Sequence, residues 1–175
     1  MMKRQSLLMI LMSFMTISTS AQIQNIKLEN GQLYFEKVYE VDSLSSLNME
    51  QFLIYNISKL NYITDFSVNN YIITSKIKGV VINYREYGAK WGSTPVYMNH
   101  PFFCDIKIIW KERKYRVTAT NMVFNVPGFG STQLSLLATK KNGTEFRENQ
   151  LEALSIIEQF LSEFFTIKKT QNEEW

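Results

Sequence analysis

The only histidine of the chain, His100, and its only cysteine, Cys104, stand four residues apart. That spacing raises two chemistries, a thiol activated by an imidazole and half of a zinc site. Pro101 lies between the two, so the pair does not share one face of a helix. Cys104 falls on the apolar side of a strand pattern, where it reads as a small buried hydrophobe. No second Cys or His exists to complete a zinc site. Gly128-Phe129-Gly130 lacks the third glycine and the preceding strand of a dinucleotide loop, and reads as a turn. Neither GxSxG nor HExxH occurs. No catalytic residue, metal or cofactor is therefore expected, and the chain reads as a non-enzymatic protein.

What remains is aromatic surface. Trp91, Tyr97 and His100 fall in one loop, Gly88 to Pro101, and Phe129 falls in another, Asn125 to Asn149. Aromatic side chains on loops make good interface anchors. The alternative is that they fold back and seal the edges of a sheet. Composition alone leaves both readings open.

The elements that must position these loops centre on Phe102 to Phe124. Phe102, Cys104, Ile106, Ile108 and Trp110 alternate with Phe103, Asp105, Lys107, Ile109 and Lys111, the period-2 signature of a strand with one buried face. Tyr115, Val117, Ala119 and Val123 alternate with Arg116, Thr118, Thr120 and Met122 in the second arm. A two-residue turn at Glu112-Arg113 sets Trp110 opposite Tyr115, Ile108 opposite Val117 and Ile106 opposite Ala119. A slip of one residue would mismatch every apolar pair. Glu-Arg is a poor match to a type I′ turn, so a longer loop is the alternative.

Around this hairpin the chain predicts a strand over QLYFEKVYEV, after Gly31, and a helix over about Ser46 to Leu60. Tyr71 to Tyr87 is rich in β-formers, and its apolar parity switches at Gly79, which marks a bulge or a tight reversal. Asn69-Asn70 suits a turn. Thr132 to Thr139 fits a short strand or a turn of helix. Leu151, Leu154, Ile157, Leu161 and Phe164 recur at helical spacing, so the last element is a helix over about Arg147 to Phe165. Its glutamates, Glu148, Glu152, Glu158 and Glu163, read as a solvated face. The fold class is α+β: an antiparallel sheet of four to five strands with two helices on one face, in the order β-α-β-β-β-β-α.

The N-terminus carries the marks of a secretory signal peptide. Lys3 and Arg4 precede an apolar run from Ser6 to Ile17, and Thr19-Ser20-Ala21 supplies small residues for cleavage after Ala21. The run is too short for a transmembrane span of about 20 residues. The expected organisation is a signal peptide at 1–21, a flexible leader at 22–30, one domain at 31–168 and a frayed tail at 169–175. Removing residues 1–21 leaves 154 residues with 17 basic and 16 acidic side chains. A net charge of +1 gives no bulk drive toward nucleic acid or anionic membrane. A lone cysteine excludes a disulfide framework. The expected location is periplasmic or secreted, with no membrane anchor on the mature chain.

These segments together resemble a family of exported Bacteroidota proteins of unknown function, assigned a TATA-binding-protein-like fold. The resemblance rests on GQLYFEKVYEV, IKGVVINY and IKIIWKERKYRVTATNMVF, and spans about Gly31 to Phe124 plus the closing helix. Members of that family often carry Asp-Gly at the hairpin turn, where this chain has Glu112-Arg113. The resemblance implies a TBP-like fold and no catalytic residues. The functional expectation is an envelope module that binds another protein or a surface glycan through its loops or its open sheet face. The alternative is a carrier for a small apolar ligand held between sheet and C-terminal helix.

Overall fold

A computed structural model describes residues 23–41, 46–141 and 143–167. The expected signal peptide, its cleavage site and the tail at 169–175 lie outside the described residues. Seven strands and three helices follow in the order β1 (Ile26–Glu29), β2 (Gln32–Glu40), α1 (Ser46–Ile57), β3 (Ile63–Asn69), β4 (Ile72–Val80), β5 (Phe102–Lys111), β6 (Lys114–Val126), β7 (Gly130–Gln133), α2 (Leu134–Ala138) and α3 (Leu151–Phe164). All strand pairs are antiparallel. The sheet runs β1-β2-β6-β5-β4-β3, and β7 pairs with the far end of β6.

The α+β class stands, but the sheet holds seven strands rather than four or five, and a third, five-residue helix follows β7. Three strands account for the difference. β1 occupies part of the stretch read as a flexible leader. Its turn is Asn30-Gly31, with φ of 50° and 76°, the left-handed pair that a two-residue hairpin with right-handed strand twist requires. β3 escaped the pattern because a bulge between Thr64 and Ser67, with Asp65 at φ 53°, breaks its alternation. The β3–β4 turn residues are Asn70-Tyr71, one position later than expected. β7 is the short strand half of the Thr132 to Thr139 reading, and α2 is the helical half.

The central register is the expected one, with Trp110 opposite Tyr115, Ile108 opposite Val117 and Ile106 opposite Ala119. Glu112-Arg113 does form a two-residue turn. Only Arg113 takes a positive φ, 57°, so the turn is not type I′. Two bulges re-phase the long strands. One sits at Gly79, φ 77°, and keeps both Ile77 and Val80 buried. It is a bulge in one bent strand, not a reversal. The other sits at Asn121, φ 50°. It turns Met122 and Phe124 inward and leaves Val123 only half-buried, whereas simple alternation puts Val123 in and Met122 out.

One face of the sheet is thus continuously apolar. Phe35, Ile73, Ile77, Phe102, Ile108, Val117, Ala119 and Phe124 are buried there with Met49, Leu53 and Ile57 of α1 and Leu154, Ile157 and Leu161 of α3. The opposite face is polar and carries cross-strand ion pairs, Lys27–Glu36 at 2.9 Å, Glu36–Arg116 at 3.7 Å and Glu40–Lys114 at 2.6 Å. Exposed pairs of this kind stabilise by at most about 1 kcal/mol each.

Polar groups lock α3 to the sheet. Tyr39 and Tyr115 stack with ring centres 4.9 Å apart. The Tyr39 hydroxyl donates to the carbonyls of Leu161 (3.4 Å) and Ser162 (3.1 Å), and the Tyr115 hydroxyl donates to that of Phe165 at 2.6 Å. The Leu161 and Ser162 carbonyls also accept the Phe165 N–H and the Thr166 hydroxyl, so the tyrosine hydroxyls add a tie between the sheet and the last turn of α3. Glu158 overturns the solvated reading. It is only 9% exposed. Its carboxylate accepts the backbone N–H groups of Gln24 (3.0 Å), Asn25 (3.0 Å) and Ile26 (3.2 Å), and the Asn25 side-chain amide at 2.8 Å. The stretch entering β1 is thereby tied to the middle of α3. Truncation would leave three backbone donors short of a partner. Glu158→Ala is expected to cost about 3 kcal/mol in urea unfolding, and a loss under about 0.5 kcal/mol would contradict this assignment.

Candidate functional site

The two long loops meet at the end of the sheet where β5 begins and β6 ends. The Asn125 N–H donates to the Pro101 carbonyl at 3.0 Å, which joins the entry to β5 to the exit of β6. The connection from β4 to β5, residues 81–101, which contains the first loop, is ordered by two short 3₁₀ turns, Tyr84–Tyr87 and Val96–Asn99. The second opens with a tight turn in which the Phe129 N–H donates to the Val126 carbonyl at 3.0 Å.

The four sequence-derived residues divide here. Trp91 is 74% exposed and Phe129 is 84% exposed. Tyr97 is 7% exposed. Its ring lies 4.9 Å from that of Phe124, and its hydroxyl donates to Gln150 Oε1 at 2.8 Å. Tyr97 therefore seals the sheet end and bridges to the start of α3, and it cannot act as a surface anchor. His100 is half-buried at the end of the second 3₁₀ turn, with its N–H donating to the Tyr97 carbonyl. Val96, exposed beside the buried Tyr97 and Met98, is an apolar surface residue that sequence reasoning missed. The signal was present: in a 3₁₀ turn, three successive apolar residues cannot all face the core.

Cys104 is buried on the inner face, and burial pushes its thiol pKa far up. The thiolate needed for nucleophilic attack or metal binding is disfavoured there. Among the described residues, no cluster of three or more His, Cys, Asp or Glu side chains forms a metal-ligand set.

The space between sheet and α3 is filled by side chains, Phe35, Phe102, Phe124, Leu154, Ile157 and Leu161, all with no exposure. Room exists at its margin. A cleft of about 360 Å³ opens between the start of β3, the end of β4, the first 3₁₀ turn and the last two turns of α3. Tyr62, Val80, Val81, Tyr87, Phe160 and Phe164 give it apolar walls, and Asn83, Glu86 and Glu163 give it a polar rim. The Tyr87 hydroxyl donates to Glu163 Oε2 at 3.3 Å, and Asn83 Nδ2 donates to Glu86 Oε1 at 2.7 Å. Among the described residues no helix is long and apolar enough to cross a membrane.

No family model and no curated sequence matches the chain. Two solved structures resemble it. One is a TBP-like protein from Parabacteroides distasonis, at 11% identity and a TM-score of 0.48, covering 81% of this chain and 96% of that one. The other is a DUF4468 family protein from Bacteroides ovatus, at 9% identity and a TM-score of 0.50, covering 87% of this chain and 97% of that one. The second bears on fold alone, and almost the whole of that protein is matched.

Tyr87 provides a titratable marker for the cleft. Burial first, and then the Glu163 carboxylate, push its phenol up to about 12. A phenol raised in this way favours the folded state fully below its ordinary value near 10, and that contribution is lost as pH rises through about 12. Tyrosinate absorbance is expected to show a late ionisation near pH 12, shared with Tyr115, whose phenol burial also raises to about 12; its amplitude falls by one phenol in Tyr87→Phe, and part of it moves down in pH in Glu163→Gln. A Tyr87→Phe titration identical to that of the parent would contradict the geometry.

Proposed function

We propose that this protein is an exported, non-enzymatic binding module of the envelope, periplasmic or secreted, that engages another protein or a surface glycan through its loops. The observation that carries the reading is the exposure of Trp91 and Phe129 on loops that bury Thr94, Tyr97 and Met98 in one case and Leu134 in the other. Leaving a large aromatic in water forgoes roughly 2 kcal/mol of burial, and such residues are the usual anchors of binding surfaces. The loops beneath them are braced by backbone hydrogen bonds, so the rings are presented on a preordered support. The open sheet face supports the reading less, because many of its charges, Lys27, Glu36, Glu40, Lys114 and Arg116 among them, are already paired across strands. Export rests on the sequence of residues 1–21 alone.

A second reading, a carrier for a small apolar ligand between sheet and α3, draws support only from the marginal cleft, because the interface itself is filled.

The test is affinity capture from the protein's own host with the full-length, C-terminally tagged chain. Partner or glycan capture is expected to fall about thirtyfold in Trp91→Ala/Phe129→Ala, the scale of losing anchor residues, with unfolding free energy unchanged within about 0.5 kcal/mol. Tyr97→Phe is expected to show the reverse, a stability loss of about 1 kcal/mol with capture intact. Recovered chains are expected to begin at Gln22. If the double variant kept every partner of the parent, the loop reading would be wrong.

A further inference from the structure

The marginal cleft has a charge pattern that its own walls do not explain. Glu86 and Glu163 both line it, and both carboxylates act on the Tyr87 phenol. Among the described residues no lysine or arginine lines the cleft, and no ion pair includes either carboxylate. The same cleft is lined by the rings of Tyr62, Phe160 and Phe164, with Phe160 and Phe164 tilted against each other at 5.5 Å. Two carboxylates over aromatic surface complement one cation attached to an apolar body: the charge meets the carboxylates and ring faces, and the body covers the rings.

The walls also say how that body is presented. Tyr62 and Val81 are half-exposed, so the cleft lies open along one side. Enclosed small-molecule sites bury most of their ligand. An open trough suits a chain lying across it. Tyr62 of its lining immediately precedes β3, the last strand of the sheet, whose outer edge pairs with no strand among the described residues. Backbone at such an edge is available to an extended segment.

We propose that this cleft docks an extended segment of a partner polypeptide, with an arginine or lysine seated between Glu86 and Glu163 and a neighbouring aliphatic side chain on Phe160 and Phe164. The surface is distinct from the loop tips carrying Trp91 and Phe129, so the two assignments stand or fall separately.

Amide chemical shifts of the full chain, titrated with a capped nine-residue peptide of alternating leucine and threonine with one central arginine, test this. Saturable shifts are expected at residues 62, 81, 87, 160 and 164. Replacing the arginine by citrulline is expected to weaken binding about tenfold, as is Glu86→Gln/Glu163→Gln, with the two losses not adding. Absence of shifts at the cleft would overturn the proposal, and so would equal binding of the citrulline peptide. Butylguanidinium binding as tightly as the peptide would assign the cleft to a small cation instead. Binding seen only after Lys168→Gln/Lys169→Gln would mean that this chain's own lysines already occupy the carboxylates, and the proposal would fail.

Discussion

Everything in this molecule depends on keeping one face of a single twisted sheet apolar over its whole width. Side chains on a strand alternate faces with a period of two, so any change of phase moves a hydrophobic residue into water. The long central strands would lose phase if they ran regularly. The bulges at Gly79 and Asn121 each reset it, one on either flank of β5, and they do so with residues that tolerate a positive φ. β5 itself has no bulge of its own: every inward residue from Phe102 to Trp110 lies in one phase. It is the reference against which its neighbours are adjusted.

The helices follow from that face. α1 and α3 are amphipathic because an apolar sheet face must be covered, and each buries one stripe against it. The polar contacts refine the placement. The stacked tyrosines of β2 and β6 fix the end of α3, and Glu158 fixes its middle to the segment entering β1. With the inner face occupied, the two surfaces proposed for recognition lie at the periphery: loop tips at one end of the sheet and the cleft beside the end of β4.

The sequence reveals this fold unevenly, for physical reasons. β5 and the first half of β6 were legible because a clean alternation of apolar and polar residues admits only one register. α3 was legible because its stripe is long and broad. β1 was overlooked although Asn30-Gly31 between Ile-Lys-Leu and Leu-Tyr-Phe is a strong hairpin signal; its four residues are too few to show a period. β3 could not be read by alternation, because its bulge destroys the period. Glu158 could not be told from its neighbouring glutamates, since its partners lie more than 130 residues away in sequence. For the loops, residue type identified the aromatics but not their direction. Trp91 and Phe129 point out while Tyr97 packs on Phe124, a distinction decided by the path of the backbone.

The role of phase can be probed by removing one residue from β5. Deleting Lys107 would set Phe102, Cys104 and Ile106 on one face and Ile108 and Trp110 on the other, with no bulge to absorb the change. The most direct measurement is urea unfolding of that variant. The account predicts no cooperative transition. A cooperative transition of parental steepness, with stability within about 1 kcal/mol of the parent, would contradict it.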